Sequence, residues 1–206
     1  MKKEGRRPSF LIYLQQKRKL YGLIIGERGD RMRKAEIDRL LYRIAEGDNR
    51  AFERLYEGTK RGVFSFLYTY FHNYADTEDA MQTVYLKIKK GIGTYRFGTN
   101  GSAWILQIAK NHALNEIERA KRITYAGEEA LANVSVDGGF DDGSSVMETM
   151  ERVLSEEEQR IVTLHVLWNY KHREIGEQLD CPTGTITSKY KRAIEKLKKA
   201  LKEEEQ

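Results

Sequence analysis

Residues 181–192 read CPTGTITSKYKR, and their side chains suit hydrogen bonding to a polyanion better than bond-breaking chemistry. Thr183, Thr185 and Ser188 are short hydroxyl residues that can approach base edges and phosphates closely, and Lys189, Lys191 and Arg192 supply cations for a phosphate backbone. A phosphate-cradling loop is excluded by spacing: Gly184 is followed by TITSK, without the second glycine of G-x-x-x-x-G-K-[ST]. Cys181 is the only cysteine, so it has no partner for a disulfide or a cysteine-pair zinc site and reads as a small apolar turn residue. On charge alone the segment is also compatible with an ordinary solvated basic helix.

A second group mixes aromatics with cations. Tyr95, Arg96, Phe97 and Trp104 precede a stripe of Lys110, Asn111, Asn115, Arg119 and Arg122. Aromatic faces stack unpaired bases while cations track the backbone beside them, which is the chemistry of a single-stranded nucleic-acid surface. Taken singly, Phe97 and Trp104 equally suit a hydrophobic core. GIGTYR at 91–96 is not a dinucleotide fingerprint, because Arg96 stands at the position of its third glycine.

No nucleophile–base pair and no metal constellation accompanies these groups: the four histidines, His72, His112, His165 and His172, show no ligand spacing. The reading is therefore of a non-enzyme without cofactor or metal. No apolar run approaches the ~18 residues of a membrane span, which with the single cysteine points to the cytoplasm. The net charge of +5 is segmental. Residues 1–31 carry nine Lys/Arg against three acids, and the rest of the chain sums to −1. Cys181–Lys202 holds seven cations against Glu195 alone, whereas Ile123–Met150 holds six acids and no Lys or Arg. Such alternation assigns different electrostatic tasks to different segments.

Helical periodicity dominates and strand signals are scarce. Ile37, Leu40, Leu41 and Ile44 form one stripe closed by Gly47; Ala51, Phe52, Leu55 and Tyr56 open another. Thr77 is the expected cap of a helix carrying Ala80, Met81, Val84, Tyr85 and Ile88, and Ser102 the expected cap of one carrying Ile105, Ile108, Ala109, His112 and Ile117. GIGTYRFGTNG at 91–101 reads as the loop between them. VSVDGGFDDGSS has little to bury and reads as a linker. Beyond it, Ser155–Glu158 is a capping box, Ile161, Val162, Leu164, Leu167 and Trp168 form a buried stripe, and Asn169 suits a left-handed stop. A short helix with Ile175 and Leu179, a turn at Asp180–Pro182 and a helix with Ile186, Tyr190 and Ile194 inward complete a helix-turn-helix plan. The expected fold is all-α: two small helical domains joined by a flexible acidic linker, the second a helix-turn-helix domain.

DTEDAMQTVYLKI, then SAWILQIAKNHALNEIERAKR, then an acidic linker and LSEEEQRIVTLHVLWNYKHREIGEQLDCPTGTITSKYKRAIEKL together resemble the extracytoplasmic-function (ECF) sigma factors, members of the sigma-70 family of bacterial RNA polymerase. The resemblance covers about Lys34–Leu201. It implies an alternative sigma factor that binds core RNA polymerase through its clamp helices and flap, recognises −35 and −10 promoter elements and melts the DNA. It places region 2 at 32–122, an acidic linker at 123–148 and region 4 at 149–206, and leaves the basic extension at 1–31 without a counterpart in the family's small members. Asp76, Glu78, Asp79 and Gln82 are implied on the polymerase-binding helix. Tyr95, Arg96, Phe97, Lys110, Asn111, Asn115, Arg119 and Arg122 face the −10 element, with residues 95–102 capturing a flipped base; Thr183, Thr185, Ser188, Lys189, Lys191 and Arg192 face the −35 duplex. An anti-sigma factor is a further partner class the resemblance suggests. Thr83, Asn169 and Lys189 depart from the family's usual acid, glycine and arginine. The runner-up is a helix-turn-helix regulator acting without polymerase. For residues 1–31 two expectations stand: a basic arm against DNA or another anionic surface, or translation beginning at Met32, since Glu27–Asp30 can be encoded by a purine-rich, ribosome-binding-like run.

Overall fold

A computed structural model describes residues 32–125 and 144–203 as eight α-helices and one short 3-10 turn, with no strand among the described residues. The basic segment 1–31 and most of the expected acidic linker lie outside the described residues. None of the described helices is long and apolar enough to cross a membrane.

The first unit contains α1 (Lys34–Ala45), α2 (Asn49–Phe71), α3 (Tyr74–Gly91), the 3-10 turn Ile92–Thr94 and α4 (Gly101–Tyr125). Helix α1 buries Ile37, Leu40, Leu41 and Ile44, an i, i+3, i+4, i+7 stripe that packs on α2 and α4. Asp48 caps α2 by accepting from Ala51 N at 3.1 Å, and His72 ends it in the left-handed region at φ 49°. Two caps differ from expectation. Asn73, not Thr77, starts α3: its side-chain oxygen accepts from Asp76 N, and Thr77 sits buried in the first turn with its hydroxyl on Asn73 O. Asn100, not Ser102, starts α4, its Oδ1 accepting from Ala103 N and Ser102 Oγ. Asparagine, serine and threonine offer the same capping chemistry, so packing selects among neighbours.

The second unit contains α5 (Ser144–Val153), α6 (Glu156–Val166), α7 (His172–Leu179) and α8 (Thr183–Glu203). The helical ends of α4 and α5 run into the span expected to be linker, beyond Arg122 on one side and ahead of residue 149 on the other. The capping box is present: Ser155 Oγ accepts from Glu158 N at 3.3 Å and Glu158 Oε2 accepts from Ser155 N at 3.0 Å. Asn169 is left-handed at φ 53°, as is Asp180 at φ 54° where α7 ends. The tight turn rests on Gly176, where a Cβ would lie 2.5 Å from Cys181 O, so the chain can pass over α7 only because that position has no side chain.

The two units pack together. Val63, Phe64, Ser65, Phe66 and Leu67 are five consecutive buried residues, a pattern an α-helix shows only when it is enclosed on all sides. One side of α2 faces α3 and α4, and the other receives α6. Trp168 is buried at this seam, and its indole N–H donates to Gly62 O at 3.1 Å. A Cβ on Gly62 would stand 3.0 Å from the indole. Around it Arg160 donates to Thr69 O and lies over the Tyr70 ring, Tyr68 Oη donates to Glu151, and Lys34 pairs with Glu174 while its ammonium lies 4.3 Å from the Tyr170 ring centroid. Burial and the Glu151 carboxylate push the Tyr68 hydroxyl up to about 12.

Gly62→Val is expected to force the indole off α2 and enlarge the radius of gyration in small-angle scattering without loss of helical circular dichroism; an unchanged radius would show that this approach does not hold the units together. Burial alone would raise the Glu174 carboxyl, but Lys34 and the Lys171 N–H outweigh it and hold the group below its ordinary value near 4.5. Its stabilisation is therefore complete above pH 4.5 and lost as pH falls through the lowered folded value. Glu174→Gln should remove that increment from the acid titration of unfolding, detectable as a smaller difference from wild type below pH 4 than at pH 7, on the order of the shift itself.

Candidate nucleic-acid interface

Helix α8 buries Ile186, Tyr190, Ala193, Leu197 and Ala200 and turns Thr183, Gly184, Thr185, Ser188, Lys191 and Arg192 to solvent. Thr183, Gly184 and Thr185 form its first turn, where small side chains leave the unpaired amide groups of the helix terminus approachable. Lys189 is placed differently: it is half-buried and its ammonium is bound to Glu157 at the start of α6. Lys196 makes the corresponding bond to Glu158 at 2.7 Å, holding that carboxyl below its usual range against the opposing effect of burial. These two ion pairs clamp α8 across α6 and leave Lys191 and Arg192 as the exposed cations of its leading half.

In the first unit the loop between α3 and α4 is pinned by one oxygen. Asp38 Oδ1, on α1, accepts from Tyr95 Oη and from Gly101 N, both at 2.7 Å, so the two ends of the loop are tied to the same point. Gly101 permits this, since a Cβ there would stand 2.7 Å from Asp38 Oδ1 and from Leu41 Cδ1. Between the ends, the N–H and hydroxyl of Thr99 both donate to Arg96 O, and Gly98 takes φ 80° to close the turn.

Tyr95, expected on the DNA surface, is only 4% exposed. Burial, reinforced by the Asp38 carboxylate, pushes its hydroxyl up to about 12, so it remains a hydrogen-bond donor. Arg96 and Phe97 are exposed, and Trp104 is half-buried with its ring centroid 5.2 Å from that of Tyr95. Along α4, Asn111, Asn115, Arg119 and Arg122 are exposed; Asn111 accepts from Gln107, and Arg122 lies 3.4 Å from Glu118. Lys110 is not open: its ammonium donates to Gln178 O of the second unit at 3.0 Å. Nearby, Ser102 Oγ meets Tyr170 Oη at 3.4 Å.

On α3, Asp76, Asp79 and Gln82 are exposed and Glu78 is half-buried. Leu86, which sequence patterning does not single out, is 57% exposed opposite the buried Val84 and Ile88 side. It shares a face with Asp79 and Gln82 through i, i+3, i+4 and i+7 spacing. Among the described residues, no cluster of His, Cys, Asp and Glu could hold a metal ion.

The described residues form an all-helical helix-turn-helix protein, with hydroxyl groups and cations exposed on α8 of one unit and an exposed aromatic–cation loop on the other. Residues 55–123 match the model for Sigma-70 region 2 and residues 147–197 that for Sigma-70, region 4, between them more than half of the chain. The RNA polymerase sigma-H factor of Pseudomonas aeruginosa is 25% identical over 177 residues, spanning 79% of this chain and 92% of that protein. The ECF RNA polymerase sigma factor SigW of Bacillus subtilis is 23% identical over 182 residues, spanning 81% and 97%. In fold, the chain is similar to the sigma factor RpoE of Bartonella quintana, solved with the anti-sigma factor NepR, at TM-score 0.57 and 17% identity over 73% of this chain and 96% of that one. CnrH, solved with the cytosolic domain of CnrY, gives TM-score 0.55 and 17% identity over 81% and 97%. The chain belongs to the sigma-70 family, within its ECF group, and is an alternative sigma factor for promoter recognition.

Asp38→Ala should leave Tyr95 Oη and Gly101 N–H without their acceptor and lower stability by about 1–3 kcal/mol in denaturant unfolding. Hydrogen exchange at Gly101 should rise together with that loss; unchanged protection there would show that the loop is held by other contacts.

Proposed function

We propose that residues 32–122 bind core polymerase and the −10 element, and that residues 149–206 read the −35 element while docked on the polymerase flap. Asp76, Glu78, Asp79 and Gln82 present carboxylates and an amide to the clamp helices, with Thr83 in place of the usual acid. Residues 95–102 capture a flipped non-template base, whose extrusion costs a few kcal/mol that stacking and pocket hydrogen bonds offset. Lys110, Asn111, Asn115, Arg119 and Arg122 follow the backbone beside it. Thr183, Thr185, Ser188, Lys191 and Arg192 meet the −35 duplex, with Lys189 in the supporting pair with Glu157. The protein works in the cytoplasm and has no catalytic activity of its own.

The observation that carries this reading is the division of α8 into a buried apolar side and an exposed side of hydroxyl groups and cations, on a chain whose α3 also presents an open acidic face. The packed arrangement occupies Lys110 with Gln178 O, so full engagement of the −10 DNA requires the two units to part. The similar sigma factor RpoE was solved with the anti-sigma factor NepR, which supports a partner of that class for this chain.

The test combines the full chain with core polymerase and a promoter library, measuring run-off transcription and binding by the free protein separately. Tight operator binding without polymerase and without start-site activity would defeat the proposal. Lys191→Ala and Arg192→Ala should each weaken holoenzyme binding to −35 duplexes across sequences and reduce the slope of log K against log salt by about 1. An unchanged slope would place these side chains away from phosphate.

A further inference from the structure

Large apolar side chains left in water call for an occupant when they adjoin. Tyr42 on α1 is 53% exposed and Phe97 in the loop is 46% exposed, yet they are far apart in sequence and meet edge to face, with ring centroids 5.3 Å apart and planes at 78°. Phe97 is in turn set at 87° on the buried Tyr95 ring, whose hydroxyl is fixed by Asp38. The pair is thus two nearly perpendicular aromatic walls on a braced support. Arg39 is exposed one turn before Tyr42 on the same helix, and Arg96 is exposed beside Phe97. Neither arginine is paired with a carboxylate among the described residues, so both are available to phosphate; Glu46 lies one turn beyond Tyr42, and Glu36, one turn before Arg39, is bound to Arg54.

From this geometry we infer that Tyr42 forms, with Phe97, a stacking site for an unpaired DNA base, with Arg39 and Arg96 holding the adjoining phosphates. The inference rests on the assignment of residues 95–102 to base capture and adds a wall from a different helix. A base is planar and apolar on its faces, so it can lie on one ring while the other closes its edge; a hydrophobic peptide would gain nothing from the two flanking cations. Asp38 acts as a positioning residue, because it holds Tyr95 under Phe97 and spaces the loop from α1.

The experiment uses the full chain assembled with core polymerase, with core polymerase alone as the blank. Fluorescence anisotropy is measured with labelled single-stranded homo-oligomers, one for each base, and with a double-stranded competitor. Tyr42→Ala and Tyr42→Leu are expected to weaken binding of the preferred oligomer by about five- to a hundredfold, while Tyr42→Phe retains it within about twofold. Duplex binding should not change for any of the three. Retention of full affinity by Tyr42→Leu would overturn stacking, because leucine replaces the apolar bulk without the π face. Loss in Phe97→Ala with none in Tyr42→Ala would overturn the role of Tyr42 and leave the capture loop standing. If Arg96→Ala, Phe97→Ala and Tyr42→Ala all bind as wild type, or if the wild-type chain adds no single-strand affinity to the core, the capture loop itself is misplaced and the inference falls with it.

Discussion

Helix α2 has no solvent side between Val63 and Leu67, and the arrangement of the whole molecule follows from that. A helix of the first unit alone would leave one of these faces wet. Here α6 covers it, and just beyond its end the Trp168 ring sits close against Gly62. A flat indole can bury its area and satisfy its N–H on a helix carbonyl only where no Cβ intervenes. Beside that contact, Tyr170 lies against Ser102 at the start of α4, and Lys34 and Lys110 find partners across the seam in Glu174 and Gln178 O.

The seam therefore separates the cations into two sets. Lys34, Lys110 and Arg160 are committed across the seam, and Lys189 and Lys196 to α6 within the second unit. Arg39, Arg96, Arg119, Lys191 and Arg192 face water. A cation already satisfied by protein must give up that bond to meet phosphate, whereas an exposed one exchanges only counterions and water. The packed form consequently presents the start of α8 and the tip of the loop, while Lys110 in the α4 stripe is held by the second unit. The exposed α3 face, including Leu86, takes no part in this restraint.

The loop shows the same economy on a smaller scale. Three aromatics that meet in space, two from the loop and one from α1, have different tasks: Tyr95 is a buried strut with a hydroxyl donor, while Phe97 and Tyr42 are exposed faces. One carboxylate oxygen of Asp38 sets the geometry because it receives hydrogen bonds from both loop ends. Charge on the acceptor strengthens both bonds beyond those of a neutral group.

Local pattern was sufficient for the all-helical class, the helix-turn-helix order, the capping box at Ser155 and the left-handed Asn169, because each depends on residues within one or two turns of each other. The inward Ile186 and Tyr190 and the outward Thr183, Ser188, Lys191 and Arg192 follow from helical period for the same reason. Non-local packing settled the rest. It chose Asn73 over Thr77 and Asn100 over Ser102 as caps, since equivalent side chains compete and the helix begins where its first turn can be buried. It drew Lys189 to Glu157, took Lys110 to Gln178 O and placed Tyr95 inside while leaving Tyr42, Phe97 and Leu86 outside. Periodicity assigns an apolar residue to a face of its own helix; whether another element covers that face is fixed by contacts between residues distant in the chain, of which the meeting of Gly62 and Trp168 is one.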